Sequence, residues 1–215
     1  MGTFAQETAN EYQMTREEMD AYSIESLARA NRAIESGAFA DEVAPVTVKS
    51  RKGDVVVEID EQPAKGRPDK IPSLRPAFAK DGTITAATSS SISDGAAALV
   101  LTRESAAKDK GLTPVARIVA TAAHAHEPAK FTTAPIPAIR KVLDRAGWSV
   151  DDVDLFEVNE AFACVAMFAM RDLDIPHDKI NVNGGGIALG HPIGASGARI
   201  IVTLLGALKN QGKSR

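Results

Sequence analysis

Cysteine is nearly absent from this sequence of 215 residues, which contains only Cys164. A single cysteine excludes an intrachain disulfide framework and is typical of a reducing compartment. The sequence also lacks the run of about eighteen apolar residues that a membrane-spanning helix needs, and the polar residues 1–13 do not resemble a secretory signal peptide. We therefore expect a soluble, cytoplasmic protein.

Neither sign of charge is in large excess. The 25 lysines and arginines oppose 28 acidic residues, which leaves a net charge of −3 with both signs interspersed. A protein that binds nucleic acid or an anionic membrane through its overall charge would be basic, so we expect neither partner. With 44% hydrophobic residues and a mean hydropathy of −0.10, the composition is that of a globular protein with a substantial core.

The first half of the sequence predicts a helix, a hairpin and a long loop. A capping-box pattern at residues 15–18 precedes apolar residues at helical spacing that end near Gly37. The β-rich runs 43–48 and 55–59 flank a polar turn, which predicts a hairpin. The prolines of residues 61–79 predict an extended surface loop.

The second half of the sequence alternates between strands and helices. The predicted strands cover residues 96–101 (or the end of a short helix), 115–122, 155–158 and 180–183, and the predicted helices cover 135–147, 160–172 and the residues from Ala195. This alternation indicates an α/β layered fold with a domain boundary near 112–114. The strands are few for a closed sheet, so we expect the last helix to pack on a sheet that is partly built elsewhere.

A glycine-rich loop around His191 is the most distinctive segment. Its glycines are Gly184, Gly185, Gly186, Gly190, Gly194 and Gly197. Glycine lets the backbone pack closely where a side chain would block it, and we expect this at all six positions. The loop leads into a helix start, whose N–H groups favour negative charge, and His191 would add a titratable donor. The arrangement predicts a site for chemistry but does not identify the substrate.

Asn159 is the residue that we expect beside His191. It follows the predicted strand 155–158, and His191 lies in the equivalent loop of the next strand–helix unit. Both would therefore lie at the carboxyl edge of the sheet, where sites gather in α/β folds. Two alternatives stay open, with Asn159 acting only as a helix N-cap and His191 being a loop histidine that is bonded to the backbone.

Three other groups are weaker candidates. The hydroxyls of residues 88–91 can hydrogen-bond an amide or a pantetheine-like substrate, but no G-x-S-x-G elbow indicates a nucleophilic serine. His124 and His126 would share one face of a strand and hold a metal together, although a solvated loop is the simpler interpretation and we expect no metal site. Cys164 lies in an apolar helix, where a thiol packs as a small hydrophobe with a raised pKa, so we assign it no catalysis.

Three motifs make the sequence similar to thiolases. They are the Asn-Glu-Ala-Phe-Ala segment at 159–163, the Asn-Gly-Gly-Gly to Gly-Ala-Ser-Gly segment at 183–197, and Gly-Thr-Ile-Thr-Ala at 82–86 ahead of Ser90 and Asp-Gly-Ala-Ala at 94–97. The first two, in this order, are highly specific. Residues 1–18 and 74–78 also resemble thiolases of the acetoacetyl-CoA (acetyl-CoA acetyltransferase) type.

The resemblance implies a thiolase-like layered α/β fold, in which two βαβαβαββ domains accompany a loop domain that covers coenzyme A. Residues 1–93 would be the larger part of the loop domain, 94–113 the end of the N-terminal domain, and 114–215 the C-terminal domain without its last strands. The implied reaction condenses two acetyl-CoA to acetoacetyl-CoA and CoA, or runs in reverse as thiolysis. The substrates would be coenzyme A thioesters, with no permanently bound cofactor, and the protein would be a homo-oligomer, either a dimer or a tetramer.

The same resemblance implies roles for individual residues. His191 would activate the nucleophilic cysteine and then donate to the thioester oxygen, and Asn159 would hold the water that completes the oxyanion hole. Phe131 stands where many short-chain thiolases carry methionine, which leaves the acyl chain length open. The residues implied to contact the pantetheine or to line its apolar surroundings are Ser90, Ala86, Phe78, Phe131, Ala161 and Phe162.

Both catalytic cysteines of the family lack a counterpart in this sequence. The acylated cysteine would precede Met1, the proton-transferring cysteine would follow Arg215, and Cys164 matches neither position. We therefore expect a chain that is inactive alone and needs the missing thiolase segments as partners. The alternatives are a degradative 3-ketoacyl-CoA thiolase and a non-catalytic module for coenzyme A binding or subunit docking.

Overall fold

The computed structural model describes residues 1–215, the whole chain. Its helices are α1 (Gly2–Glu11), α2 (Arg16–Glu35), α3 (Glu104–Asp109), α4 (Pro135–Ala146), α5 (Ala163–Leu173), α6 (Gly186–Leu189) and α7 (Ile193–Gln211). Strands β1 (Val46–Val48) and β2 (Val55–Val57) form an antiparallel hairpin, and 3-10 turns cover Pro63–Lys65, Pro68–Ser73, Pro128–Thr133 and His177–Lys179. None of the helices combines the length and apolar character needed to cross a membrane.

Helix α2 begins with the predicted capping box. The Thr15 hydroxyl accepts the backbone N–H of Glu18 at 3.2 Å, and the Glu18 carboxylate accepts the backbone N–H of Thr15 at 2.8 Å. These bonds satisfy donors that a helix start leaves unpaired. The buried face of α2 packs against α5 and α6, and so brings the N-terminal part of the chain onto the glycine-rich loop.

The predicted hairpin and the helices α4 and α7 are confirmed. Helix α4 ends at Gly147, whose φ of 68° is the left-handed conformation that glycine adopts at helix ends. Residues 61–79 contain the two proline-initiated 3-10 turns within an otherwise irregular path.

Helix α1 is a feature that the sequence pattern did not predict. Its small buried residues Ala5 and Ala9 face the 3-10 turn at 128–133. The Gln6 amide oxygen accepts the backbone N–H groups of Thr83 and Ile84 at 2.9 and 3.0 Å. A helix with little apolar area is thus held by partners far along the chain, which a local pattern does not reveal.

The main hydrophobic core surrounds helix α5. Cys164, Ala166, Phe168 and Ala169 of this helix are completely buried, and helices α2 and α4 pack on its sides. The segment 153–158 lies in the same core and leads directly into the loop that carries Asn159. The site residues are therefore attached to the best-packed part of the chain.

The prediction of regular strands after residue 94 was wrong. Residues 96–101 and 115–122 are irregular, form no strand and expose apolar side chains, including Val100 and Val115. The segments 155–158 and 180–183 meet only through a parallel bridge between Phe156 and Ile180. A strand needs a neighbour that pairs with its N–H and C=O groups, and residues 95–102 and 113–126 make no backbone–backbone hydrogen bond within this chain.

Candidate active site

The glycine-rich loop is packed tightly at four of its six glycines. Gly184 and Gly190 have φ values of 78° and 89°, which side chains rarely tolerate, and a Cβ on Gly184 would lie 2.6 Å from the Ser26 carbonyl oxygen. Added Cβ atoms on Gly185 and Gly186 would crowd Glu160. The expectation was wrong at Gly194 and Gly197, since both are exposed on the first turn of α7, where a Cβ would meet open space.

Asn159 and His191 lie together, as the sequence predicts. The Asn159 side-chain nitrogen is 3.4 Å from Nε2 of His191. Asn181 fixes the backbone of Val158, the residue before Asn159. Its side chain accepts the Val158 N–H and donates to the Val158 carbonyl, each at 2.8 Å. Helix α5 starts only at Ala163, with Phe162 in the cap position. The alternative that Asn159 is a helix N-cap was therefore wrong.

The His191 ring is held by side chains. Its Nδ1 lies 2.6 Å from the hydroxyl of Ser196 and its Nε2 faces Asn159. Only the backbone N–H of His191 bonds to the main chain, donating to the Ser91 carbonyl at 3.2 Å. The alternative of a ring bonded to the backbone was therefore wrong. Burial, with a smaller contribution from the positive charge of Arg199, lowers the pKa of His191. The imidazole is accordingly neutral near pH 7, the form that can accept a proton.

A buried carboxylate next to Asn159 ties the site to helix α2. Glu160 is completely buried. One carboxylate oxygen accepts from the Tyr22 hydroxyl at 2.7 Å and the Asn181 amide at 3.0 Å, and the other accepts from the Ser26 hydroxyl at 2.8 Å and the Ile187 N–H at 3.1 Å. Sequence reasoning missed this role, although the position of Glu160 beside Asn159 in the Asn-Glu-Ala-Phe motif was a usable signal.

The hydroxyl-rich loop lies on the other side of the Asn159 segment. Ser90 donates to the carbonyl of Ala161 from both its backbone N–H and its hydroxyl, at 3.1 and 3.0 Å. The Ala163 N–H donates to the Thr88 carbonyl at 2.9 Å. Ala86 is exposed at the start of this loop. The structure thus brings Ser90 and Ala161 into direct contact and leaves Ala86 at the surface.

The three predicted phenylalanines form one cluster. The Phe162 ring lies 6.0 Å from that of Phe78 and 6.3 Å from that of Phe131, centroid to centroid, with edge-to-face geometry in both pairs. Phe162 is buried, whereas Phe78 is 39% exposed. The cluster therefore presents an apolar edge to solvent near Ser90.

The other two weaker candidates are the His124–His126 pair and Cys164. The rings of His124 and His126 contact each other edge to face at 4.9 Å on an irregular segment. No group of three or more histidine, cysteine or acidic side chains in the chain is arranged to hold a metal. Cys164 is completely buried, and burial raises the pKa of its thiol to about 12. The interpretation of this thiol as a packing group is confirmed.

Glu157, two residues before Asn159, lies near other charged side chains, one of which is Arg199 of α7. Burial raises the pKa of Glu157 to about 8, with Arg199 opposing the rise and the nearby Glu160 and Glu42 adding to it. One Glu157 carboxylate oxygen is buried without a hydrogen-bond partner. Glu157 is therefore protonated in the folded chain at neutral pH, where an unfolded glutamate is ionised.

We expect Glu157 to make the chain less stable as the pH rises. Between its ordinary pKa of 4.5 and about 8, the folded state holds a proton that the unfolded state releases, so stability falls through that interval. Thermal midpoints at about pH 6.5 and about pH 8.5 should differ less in Glu157→Gln than in the wild type. Glu61→Gln, at an exposed position, is the control. An unchanged pH dependence in Glu157→Gln would contradict the assignment.

Comparison with known proteins places this geometry in a family. The family model "Thiolase, N-terminal domain" matches residues 1–105 and the model "Thiolase, C-terminal domain" matches residues 112–215. The chain is 49% identical to the acetyl-CoA acetyltransferase of Rhizobium meliloti (strain 1021) in an alignment 216 residues long, which covers all of this chain and 55% of that protein. It is also 49% identical to the acetyl-CoA acetyltransferase of Escherichia coli (strain K12), again over 55% of that protein.

Solved structures agree with the sequence relatives. The crystal structure of the Bacillus anthracis acetyl-CoA acetyltransferase superposes with a TM-score of 0.95 at 46% identity, covering 99% of this chain and 54% of that one. Human mitochondrial 3-ketoacyl-CoA thiolase superposes with a TM-score of 0.89 at 38% identity, covering 98% of this chain and 53% of that one. The chain spans about half the length of the relatives it matches. Its fold is the thiolase-like α/β fold, and the chain belongs to the thiolase family.

Proposed function

We propose that this chain supplies the oxyanion-hole half of a thiolase active site, which transfers an acetyl group between coenzyme A thioesters. The observation that carries the proposal is the approach of the Asn159 amide nitrogen to within 3.4 Å of His191 Nε2. Asn159 and His191 are two preorganised polar groups on one surface, which we call the rim. They suit the negative charge that develops on a thioester oxygen. The thiolase relatives named acetyl-CoA acetyltransferase favour acetyl-CoA and acetoacetyl-CoA as substrates.

His191 and Asn159 take different parts in the proposed reaction. Neutral His191 accepts the proton of the nucleophilic thiol, and the resulting imidazolium then donates to the thioester oxygen. Asn159 holds a water that donates to the same oxygen. The lowered pKa of His191 suits the first step, because the ring is already unprotonated at neutral pH.

Ser90 and the phenylalanine cluster are the proposed contacts for the pantetheine arm of coenzyme A. The Ser90 hydroxyl donates to Ala161 and keeps its oxygen free to accept from an amide. Ala86, the Ala161 segment and the edge formed by Phe78, Phe131 and Phe162 surround this hydroxyl in the proposal. Coenzyme A is here a substrate, and no cofactor is held permanently.

The proposed reaction needs two cysteines that other thiolase segments would provide. The only cysteine of the chain is buried in α5 with a raised pKa and makes a poor nucleophile. We expect the isolated chain to show no thiolysis of acetoacetyl-CoA. Turnover by the purified chain alone would contradict this part of the proposal.

A chimera tests the proposed function with both cysteines present. In it, residues 1–215 replace the aligned 55% of the Rhizobium meliloti acetyl-CoA acetyltransferase, and the rest of that protein is kept. We expect the chimera to cleave acetoacetyl-CoA in the presence of CoA. A folded chimera without turnover would count against the proposal.

A preference for longer acyl chains is the second enzymatic candidate. The similarity to a human 3-ketoacyl-CoA thiolase and the presence of Phe131 favour testing it. The ratio of kcat/KM for acetoacetyl-CoA to that for a longer 3-ketoacyl-CoA, measured on the chimera, separates the two substrate classes.

A non-catalytic module that binds coenzyme A is the candidate from another class. Calorimetric titration of the chain with CoA, with and without Ser90→Ala, tests it. Binding by the chain together with an inactive chimera would favour the module, whereas turnover by the chimera would favour the enzyme.

The wider organisation follows the same proposal. Residues 1–93 form most of a loop domain that covers coenzyme A, 94–113 end an N-terminal thiolase domain and 114–215 form most of a C-terminal one. The complete protein would be a cytoplasmic dimer or tetramer. Sedimentation of the chimera tests the oligomeric state.

A further inference from the structure

Ser196 is a buried hydroxyl that contacts His191 from the far side of the ring. It lies in the first turn of α7 and is 4% exposed. Its oxygen is 2.6 Å from His191 Nδ1 and 3.1 Å from the carbonyl oxygen of Pro192. Serine in a helix often bonds to the carbonyl four residues earlier in this way. Ser196 is thus held between the helix backbone and the imidazole.

The hydroxyl proton of Ser196 has two acceptors within reach, the Pro192 carbonyl oxygen at 3.1 Å and Nδ1 of His191 at 2.6 Å. A proton directed at the carbonyl, which also accepts the backbone N–H groups of Ala195 and Ser196, is the arrangement that agrees with the Asn159 side of the ring. The serine oxygen then offers a lone pair to His191, which requires the hydrogen on Nδ1. On the opposite side of the ring, the Asn159 amide group donates toward Nε2. An unprotonated Nε2 accepts this bond, whereas a protonated Nε2 would set two donors against each other.

We propose that Ser196 is a positioning residue that fixes neutral His191 as the Nδ1–H tautomer and thereby aims the lone pair of Nε2 at the rim beside Asn159. The inference rests on the proposed function for its catalytic meaning. A thiol that approaches the rim passes its proton to Nε2, and the electron pair stays on sulfur as a thiolate. Nδ1–H remains bonded to Ser196 throughout, so the ring need not turn between its two tasks.

The tautomer can be measured on the chain without any catalytic assay. Long-range ¹H–¹⁵N correlation spectra of ¹⁵N-histidine-labelled protein, recorded above the pKa of the histidines, distinguish the two neutral forms. His126 is an internal reference, because its Nε2 lies 2.7 Å from the Lys130 carbonyl and must therefore carry the hydrogen. We expect His191 to show the Nδ1–H pattern and His126 the Nε2–H pattern. An Nε2–H pattern for wild-type His191 would overturn the proposal.

Two variants test the part played by the hydroxyl. Ser196→Ala should raise the fraction of the Nε2–H form of His191, because only the longer 3.4 Å contact with the Asn159 amide then opposes that form, while Ser196→Thr should retain the wild-type pattern. In the chimera, Ser196→Ala should lower kcat by about 10–100-fold with little change in KM, by analogy with metal-site histidines that lose the partner of their second nitrogen. Unchanged spectra and unchanged kcat in Ser196→Ala would contradict the inference.

The spectra of the chain and the kinetics of the chimera test this inference separately from the proposed function. An Nδ1–H pattern that Ser196→Ala abolishes supports the positioning role even if the chimera shows no turnover, which would count against the function alone. Turnover by the chimera with an Nε2–H pattern for wild-type His191 would retain the function and reject the role of Ser196.

Discussion

Alanine in place of His191 is expected to lower the kcat of acetoacetyl-CoA thiolysis by the chimera by on the order of 10²–10³-fold or more, since the ring is proposed both as a base and as an oxyanion donor. The ring is half-buried, bonded to Ser196 and facing Asn159, so a water molecule that takes its place would be a poor substitute for the imidazole. Initial rates at saturating substrate measure the effect.

A surface histidine provides the matched control for this loss. His126→Ala removes an imidazole whose only hydrogen bond is to the Lys130 carbonyl in an exposed segment, so the rate should stay unchanged. Cys164→Ala should also retain turnover, because its thiol is completely buried in the core around α5 and has no part in the proposed chemistry. A His191→Ala chimera that keeps the wild-type rate would remove His191 from the mechanism.

Alanine in place of Glu160 is expected to destabilise the chain by at least about 3 kcal/mol, because the buried donors that surround the carboxylate would be left unpaired and each costs about 1–3 kcal/mol. These donors belong to Tyr22, Ser26, Asn181 and Ile187. The free energy of unfolding from urea titrations measures the loss. The effect is large because the four donors come from α2, residue 181 and α6.

Glu160→Gln is the conservative comparison for this position. It keeps the size of the side chain and one acceptor oxygen, so we expect a smaller loss than for alanine. A loss remains because the new amide nitrogen would face an N–H donor in either orientation, from Asn181 or from Ile187. Glu61→Ala, which removes an exposed carboxylate paired only with Lys65, should change stability by less than about 1 kcal/mol. Equal effects of Glu160→Ala and Glu61→Ala would show that the buried network does not hold the site together.

Local signals in the sequence were sufficient for the elements whose ends are fixed by neighbouring residues. The bonds between Thr15 and Glu18 begin α2, and Gly147 ends α4. The approach of Asn159 to His191 was also predictable, because both follow segments that run side by side at Phe156 and Ile180. That parallel bridge is the part of the predicted sheet that brings the segments before Asn159 and His191 side by side.

Features that depend on distant partners were not predictable from the same signals. Residues 115–122 have the composition of a strand, but composition does not supply the neighbour that a strand pairs with. The four donors to Glu160 include Tyr22 and Ser26, which lie more than one hundred residues away in sequence. The contact between Ser196 and His191 spans only five residues, yet it depends on the turn at Pro192 that starts α7.

Exchange of the acetyl protons of acetyl-CoA for deuterium, catalysed by the chimera in D₂O, tests the central claim most directly, because this exchange requires the enolate whose oxygen Asn159 and His191 are proposed to stabilise. We expect exchange by the unaltered chimera and a loss on the order of 10²–10³-fold in Asn159→Ala. Asn210→Ala, at an exposed amide bonded only to the Ala38 carbonyl, should exchange at the unaltered rate. A folded Asn159→Ala chimera that exchanges as fast as the Asn210→Ala control would contradict the assignment of this site as a thioester oxyanion hole.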